Sequence, residues 1–527
     1  MFLYVHFLHR EQFGQKRGIN LMSNGGKNVS EAVVEKKGVS AVDFFCIGFG
    51  AIVGVGWAVS INGWMTSCGG PIPAALGYLA ALILMIPVAL CYCELVPMLP
   101  VAGGGMAFTY RAFNDVVAII DGWATFGAFV AIIPWEAIQI TDVLGYLIPN
   151  IKSGEPLYNV MGSDIYLISI ILGVFFSLML FALNMRGLEA AAKVQKVLCF
   201  VLVGSAIIGA VASLIGGSMD NLQPMYDVSN PNIYGEGLKK VSHSGMIGGI
   251  LSILASAPFF LAGFETIPQG VEEAGGDVSS VGKTVVLSVV LACVFYAFLL
   301  FAFGTSWPWQ EFALMDAPAA STMFKSLYPA EMFGLGISFG EVLYWFITVG
   351  AIAGLFTTWN GFFMASATML MSMSRGKILP EVFSHQDKHG IPVPGLLVCL
   401  ALSVAGPFMG SNLVDSLTCF SSAGFILSWC LNSWSLVRLR YTEPDLKRPY
   451  RIPGGLATGY FAGFITTLIM VLMFIPMSPF FIGDLAVKMF FAWMAVGMVL
   501  YFSCYGRRKG LTLEEKRADI FAKMNEK

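Results

Sequence analysis

Twelve long apolar segments restrict this chain to one class of fold. A helix needs about 20 mostly apolar residues to cross a lipid bilayer. Because 56% of the 527 residues are hydrophobic and only 12% are charged, a soluble globular protein is excluded. The sequence therefore predicts an all-α polytopic membrane protein with 12 transmembrane helices. The predicted spans are residues 41–65, 72–98, 115–148, 164–183, 194–216, 245–271, 284–304, 339–373, 394–411, 414–437, 456–476 and 483–505.

The distribution of lysine and arginine predicts the orientation of these helices. With both termini in the cytoplasm, 26 of the 31 Lys and Arg residues lie on the cytoplasmic side. Cytoplasmic loops of membrane proteins are enriched in these residues. We therefore predict a multi-pass protein of the cytoplasmic (cell) membrane, with a disordered N-terminal tail over residues 1–40 and a C-terminal tail over residues 506–527. Translation starts at either Met1 or Met22.

The first predicted span is unusually rich in glycine. Its middle carries Gly54, Val55, Gly56 and Trp57 in the run CIGFGAIVGVGWAVSINGWM. In lipid every backbone polar group needs a partner, so an interrupted helix is tolerated only where its freed groups line a cavity or hold a ligand. The segment is therefore either half of a substrate site at membrane depth or a place where glycines let helices pack closely.

A second interrupted helix is predicted in the sixth span. Pro258 removes a backbone donor there, and Gly263 relaxes the helix about one turn later. The two interruptions hold equivalent positions in residues 41–216 and 245–437, which have five spans each and hence opposite orientation. This pattern indicates an inverted-repeat transporter whose site lies between the repeats, with residues 456–505 adding two helices. The paired interruptions favour the substrate-site interpretation.

Six sequence elements, two of which include the interruptions above, resemble the amino acid–polyamine–organocation (APC) permeases over the chain after residue 40. The resemblance implies a leucine-transporter-like fold, a 5+5 inverted repeat plus two helices, of the amino acid permease type. The elements are residues 54–56; Glu94 with residues 100–110; 184–187 with 193–195; 263–265 with Glu272 and Glu273; 375–380 through 390–394; and 448–455.

The resemblance also implies where a zwitterionic substrate binds. Its carboxylate is expected at residues 54–57, because the start of a half-helix offers free N–H groups and a positive dipole end. Its ammonium is expected at carbonyls around Ala257, Pro258 and Phe259, where a half-helix ends. Phe259 is the expected aromatic lid, although any one phenylalanine among 42 is as readily a packing residue.

Other predicted binding residues lie on the third and eighth spans. Trp359 and Phe362 fall where the family supplies a second aromatic residue. Ile133 and Glu136 fall beside the substrate in the family. An ionised carboxylate at the bilayer centre costs about 2.5–3.5 kcal/mol on insertion scales, so Glu136 is expected to face a cationic substrate group or to accept a proton. The structural alternatives are a hydrogen bond to backbone exposed by Pro134 or an interfacial position.

Glu265 resembles a family glutamate that is tied to proton-sensitive gating. Some proton-coupled relatives carry a lysine in the fifth span, but residues 200–204 have none, so coupling through such a lysine is not expected. Thr357 and Thr358 offer hydroxyl oxygens to Na⁺, yet such hydroxyls usually bond to their own backbone. H⁺ is therefore favoured over Na⁺ as the coupling ion. Glu94, at the end of the second span, is expected to bind Arg111 or a backbone donor.

These features predict a secondary active transporter of an amino acid or related organic amine that works by alternating access. A polyamine or cationic amino acid carrier is the alternative, because of Glu136. A transport-incompetent amino acid sensor is the rival from another class. No enzyme, cofactor, metal site or nucleic-acid partner is expected, since the ten cysteines are mostly inside spans and the five histidines are scattered. Membrane lipid is an expected partner, and both monomer and homodimer remain open.

Overall fold

A computed structural model of the chain describes residues 38–148, 150–226, 245–275, 277–315, 319–332 and 336–525. Of the predicted disordered tail over residues 1–40, the first 37 lie outside this description. The described residues are predominantly helical and include ten helices long and apolar enough to cross a membrane. Two shorter apolar helices, Val393–Phe408 and Leu456–Leu472, occupy the ninth and eleventh predicted spans.

The described residues of the first half form ten α-helices and one small hairpin. The strands β1 (Tyr158–Val160) and β2 (Ser163–Ile165) pair antiparallel in the loop between Gly145 and Leu167. They add a short non-helical element to the predicted all-α fold. The helices are α1 (Ala41–Val53), α2 (Gly56–Val59), α3 (Ile61–Cys68), α4 (Pro71–Met98), α5 (Gly105–Ala112), α6 (Asp115–Gly145), α7 (Leu167–Asn184), α8 (Leu188–Gly216), α9 (Gly245–Phe260) and α10 (Val278–Gly304).

The second half continues with nine α-helices over its described ranges. Its longest helix begins at a capping box, in which the Ser338 hydroxyl accepts the Glu341 N–H and the Glu341 carboxylate accepts the Ser338 N–H. The helices are α11 (Trp309–Ala313), α12 (Ala319–Leu327), α13 (Phe339–Arg375), α14 (Val393–Ala405), α15 (Val414–Thr442), α16 (Leu456–Leu472), α17 (Asp484–Ser503), α18 (Tyr505–Arg508) and α19 (Leu513–Asn525).

Burial separates the inner helices from the outer ones. The first span and α6 are buried over most of their length, whereas only 22% of α7 and of α17 is buried. The exposed side chains of α7 include Leu167, Ile171 and Phe175. In a bilayer such an apolar surface contacts lipid tails, so α1 and α6 form the interior of the bundle.

The predicted interruption of the first span is confirmed. Helix α1 ends at Val53, and Gly54 turns the chain with φ 50° and ψ −146° before α2 begins. Residues with a side chain avoid this conformation, which glycine adopts freely. A Cβ atom on Gly54 would also collide with the Thr358 hydroxyl of α13. Gly54 therefore serves both the turn and the close approach of α13.

The interruption of the sixth span lies at the later of the two residues that the prediction named. Helix α9 continues across Pro258 to Phe260, and the chain turns at Gly263 with φ 137°. Two 3₁₀ segments follow, Phe264–Thr266 and Pro268–Glu273. Pro258 removes only its own N–H from the last turns of the helix, whereas the backbone of Gly263 takes a direction that helices cannot follow. Glycine, not proline, thus sets the interruption.

Glu94 joins the end of α4 to the end of α15. Its fully buried carboxylate accepts hydrogen bonds from Arg440 at 3.0 and 2.5 Å and from the Ile452 N–H at 2.9 Å. The predicted backbone donor is therefore confirmed. The predicted partner Arg111 is wrong, because Arg111 forms its ion pair with Glu443 at 2.7 Å.

Candidate functional site

The two interrupted helices touch each other at their interruptions. A Cβ atom on Gly263 would lie 2.6 Å from the backbone nitrogen of Ile52 and 2.7 Å from the carbonyl carbon of Ala51. Real Cβ atoms do not approach backbone so closely, so only glycine fits here. The structure therefore brings the two predicted half-sites together into one candidate site.

The start of α2 supplies backbone N–H groups to this site. The first N–H groups of a helix, here those of Gly56 and Trp57, have no intrahelical acceptor. The last carbonyls of α1 are already engaged, since the Tyr296 hydroxyl of α10 lies 3.0 Å from the Ile52 oxygen and 2.9 Å from the Val53 oxygen. The positive end of α2 is thus the part of this interruption suited to an anionic group.

The end of α9 supplies backbone carbonyls. The Ala257 oxygen accepts the Leu261 N–H at 2.8 Å. The carbonyls of Pro258, Phe259 and Phe260 follow it in the last turn, where a helix has no further N–H groups to offer them. This end therefore suits a cationic group, and the suitable carbonyls lie slightly later than those that the sequence indicated.

Phe260 is the aromatic residue that lies against the start of α2. A Cβ atom on Gly56 would be 3.0 Å from two ring carbons of Phe260. The ring of Phe259 instead lies 6.0 Å from that of Trp135 on α6. The sequence analysis named Phe259 as the aromatic lid and did not name Phe260.

Phe260 belongs to a cluster of four aromatic side chains, here called the Trp64 cluster: Trp64, Tyr78, Phe260 and Tyr296. The ring of Trp64 is 4.8 Å from that of Phe260, 5.1 Å from that of Tyr78 and 5.3 Å from that of Tyr296. Tyr78 and Tyr296 stack at 4.7 Å. Because edge-to-face aromatic pairs are favourable, these contacts hold α3, α4, α9 and α10 together beside the candidate site.

Glu136 is buried without a cationic partner. It is 2% exposed, and its Oε2 atom has no hydrogen-bond partner among the residues that the structure describes. Glu136 shares one face of α6 with Ile133 and Phe129, at spacings of three and seven residues. The ring of Phe129 lies 5.4 Å from that of Phe362 on α13. Glu136 and Ile133 therefore lie on the face of α6 that also carries this aromatic contact.

Two other predicted binding residues point away from the interruptions. The indole nitrogen of Trp359 donates to the Ser403 hydroxyl of α14 at 3.1 Å. The ring of Trp57 stacks on Phe303 of α10 at 6.1 Å and is fully buried. The side chains of Trp359 and Trp57 thus pack into the helix bundle, and only the backbone of Trp57 belongs to the candidate site.

Glu265 fastens the Gly263 turn to α15. Its Oε2 atom accepts the Gly263 N–H at 2.7 Å, and its Oε1 atom accepts the indole N–H of Trp429. The side chain is 2% exposed. A change in its charge would act directly on the turn that contacts Ile52, which agrees with the gating role that the resemblance implies.

The threonines of α13 bond to backbone, as the structural alternative expected. Thr357 donates to the Gly50 oxygen at 2.9 Å and to the Gly354 oxygen at 2.7 Å, and Thr358 donates to Gly354 at 3.2 Å. Within the described ranges, no three His, Cys, Asp or Glu side chains come close enough to hold a metal ion.

Comparison with known proteins shows the family of the chain. The branched-chain amino acid permease BcaP of Bacillus subtilis is 21% identical over 495 residues, which cover 90% of this chain and 94% of that protein. BcaP of Lactococcus lactis is 22% identical, covering 94% and 99%. The vacuolar cationic amino acid transporter 4 of Arabidopsis thaliana is 22% identical, covering 82% and 67%. Residues 39–501 match the family described as amino acid permease, so the chain belongs to that family of multi-pass membrane proteins, as the resemblance indicated.

Proposed function

We propose that this protein is a secondary active transporter of an amino acid or related organic amine across the cytoplasmic membrane. The observation that carries the proposal is the packing of Gly263 against Ala51 and Ile52. It sets the positive start of α2 beside the negative end of α9. A zwitterion presents one charge of each sign a few bonds apart, which suits this pair of helix ends. The family match supports the amino acid as substrate class.

The proposal includes the full predicted architecture. Twelve helices cross the membrane, residues 41–216 and 245–437 form inverted repeats, residues 456–505 add two helices, and both termini are cytoplasmic. The positions of the interrupted helices as first and sixth, and the excess of Lys and Arg on one side, support it. Alternating access then moves one repeat against the other around the fixed site.

In this arrangement the substrate carboxylate binds the N–H groups of Gly56 and Trp57, and the ammonium binds the carbonyls at the end of α9. Phe260 covers the bound substrate from the Trp64 cluster. Glu265 changes protonation as the Gly263 turn moves, which makes H⁺ the coupling ion. The hydroxyls of Thr357 and Thr358 donate hydrogen bonds to backbone carbonyls. This favours H⁺ over Na⁺, as in the sequence analysis.

Reconstitution tests the function. Purified protein in sealed liposomes is offered labelled branched-chain, acidic, small neutral and cationic amino acids, with imposed proton or sodium gradients. We expect saturable uptake of at least one class, increased by an inward proton gradient. Binding of an amino acid without uptake or exchange would instead identify the sensor. No binding of any amino acid or amine would refute the substrate class.

Replacing Phe260 with alanine is expected to raise the KM for uptake. An aromatic ring that closes on a substrate ammonium contributes about 0.5–2 kcal/mol, and 1.4 kcal/mol corresponds to about a tenfold change in affinity. Phe259→Ala is the matched control, one residue away on the same helix, and its effect should be smaller. A larger effect of Phe259→Ala would return the lid to Phe259.

Cationic substrates are the second candidate, and the unpartnered Oε2 atom of Glu136 favours them. Glu136→Gln keeps the shape and removes the charge. If the substrate is cationic, uptake of lysine, arginine or putrescine should fall by at least about 100-fold, because an unpaired buried charge costs about 3–5 kcal/mol. Uptake of neutral amino acids should persist. Glu155→Gln, on an exposed loop, is the control. Unchanged uptake of every cation by Glu136→Gln would exclude this role.

A further inference from the structure

Buried carboxyl groups in the described residues fall into two kinds. Glu94 and Asp115 form ion pairs with arginine or lysine side chains. Asp121, Glu136 and Glu265 are equally buried but have no ion pair within the described residues. Glu136 and Glu265 belong to the candidate site. Asp121, on α6, is the buried acid that the proposed function does not use.

Neutral donors surround Asp121. Its Oδ2 atom accepts the Thr109 hydroxyl and the Asn432 amide, both at 3.1 Å, and its Oδ1 atom accepts the Thr125 hydroxyl at 3.3 Å. The side chain is 0% exposed. Hydrogen bonds from neutral groups offset only part of the cost of burying a charge without a counter-charge. A bound proton removes that charge, so a proton is the ligand that this cluster suits.

The cluster also contains an acceptor that a proton on Asp121 would help to satisfy. Asn432 is fully buried, and its Oδ1 atom receives no hydrogen bond from the described residues. An ionised carboxylate only accepts hydrogen bonds, whereas a carboxylic acid also donates one. Protonation of Asp121 thus adds a hydrogen-bond donor to a cluster in which the Asn432 Oδ1 atom has no donor among the described residues.

One turn of α15 connects Asp121 with Glu265. The Asn432 amide that donates to Asp121 also lies 3.1 Å from the Ser428 hydroxyl. Trp429, the next residue, donates to Glu265. Asp121 of α6 and Glu265 of the Gly263 turn therefore both bind the same segment of α15. A change of charge at either one acts on the hydrogen bonds of this shared segment.

The other titratable groups near Asp121 are not cationic. Tyr92 of α4 interacts with both Asp121 and Glu265, and its hydroxyl lies 3.4 Å from that of Ser428. Cys430 of α15 also interacts with Asp121. Helix α5 contributes only the hydroxyl of Thr109. No cationic side chain of the described residues pairs with Asp121, so its charge depends on whether it binds a proton.

Asp121 lies beside the start of α5, which follows a loop on the predicted cytoplasmic side. A Cβ atom on Gly105, the first residue of α5, would lie 2.5 Å from the Asn432 amide nitrogen and 3.2 Å from Asp121 Oδ2. The loop before α5 is tied to the interrupted sixth span, since the Ala102 N–H donates to Glu272 at 2.9 Å. We infer that separation of this loop from Glu272 would open Asp121 to water.

We propose that Asp121 is a second proton-binding residue of this transporter, in addition to Glu265. The proposal rests on the proposed transport function. The Asp121 carboxylate gains one proton when substrate is loaded and releases it to cytoplasmic water when the loop around Ala102 opens. The step moves one proton and changes no other bond.

The test compares two assays of reconstituted protein, with a labelled substrate from the uptake panel. Asp121→Asn should accumulate substrate under an inward proton gradient about tenfold less than wild type, a difference of about 1.4 kcal/mol. Its exchange of labelled for unlabelled substrate at equal pH should stay close to wild type. Asp142→Asn, on the same helix at a partly exposed ion pair with Lys152, should behave as wild type in both assays. Wild-type accumulation by Asp121→Asn would overturn the proposal.

Two further measurements keep the proposal testable if Asp121→Asn does not fold. Asp121→Glu should retain proton-driven uptake with a shifted pH profile, and an unshifted profile would contradict a proton on this residue. A pH-sensitive dye inside the liposomes should report proton entry with substrate. Wild-type uptake without proton entry would overturn the role of Asp121 and leave amino acid transport intact. Absence of any uptake or exchange would overturn the transport function itself.

Discussion

Replacing Gly263 with alanine is expected to abolish transport. The backbone at this residue has φ 137°, and a Cβ atom would lie 2.6 Å from the Ile52 nitrogen. Backbone strain costs about 1–3 kcal/mol and overpacking about 1–3 kcal/mol more. Since 1.4 kcal/mol is a factor of ten, we expect initial rates of labelled amino acid uptake to fall on the order of 100-fold. The physical reason is that the two helix ends can no longer meet.

Gly63→Ala is the matched control for this variant. Gly63 lies in α3, and a Cβ atom there would contact nothing within 4 Å. Both variants are first checked for a single symmetric peak in size-exclusion chromatography, so that loss of folding is separated from loss of transport. Wild-type uptake by Gly263→Ala would show that the contact between the interruptions is not required.

Replacing Gly56 with leucine is expected to eliminate substrate binding. The new side chain would start 3.0 Å from the ring of Phe260 and would fill the space in front of the α2 N–H groups. Loss of a charge-assisted pair of hydrogen bonds, together with steric exclusion, predicts about a 100-fold or greater decrease in affinity. Binding of labelled amino acid to protein in detergent measures this directly.

Gly63→Leu serves as the size-matched control for Gly56→Leu, because it adds the same side chain to the same span in open space. It should bind with wild-type affinity. If Gly56→Leu also binds normally, the carboxylate does not bind at the start of α2.

The two interruptions illustrate what local sequence specifies. The first was predictable because several glycines in one span weaken the helix, and Gly54 adopts a φ that favours glycine. The second was predicted from Pro258 to Gly263, and the chain turns at Gly263 because a proline near a helix end costs only one hydrogen bond. The residue at which the helix ends matters for the site. Successive residues of a helix point about 100° apart, so Phe259 and Phe260 face different neighbours.

Long-range partners were not predictable in the same way. Trp429 bonds to Glu265 across 164 residues, and Arg440 bonds to Glu94 across 346. Such pairs depend on which helix faces meet after packing, and the sequence pattern of one helix does not contain that information. Asp121 was missed for a related reason. It lies near the start of a predicted span, where an acidic residue usually faces water, and only the packing of α5 and α15 buries it.

Competition with modified substrates tests the central claim most directly. The claim is that the start of α2 reads the carboxylate and the end of α9 reads the ammonium. The amino acid that the uptake panel identifies is compared with its methyl ester, which lacks the carboxylate charge, and with its N-acetyl derivative, which lacks the ammonium. We predict that the free amino acid displaces labelled substrate and that each derivative is at least about 100-fold weaker, a difference of about 2.7 kcal/mol. Equal displacement by the free amino acid, the ester and the N-acetyl derivative would contradict a site built from these two helix ends.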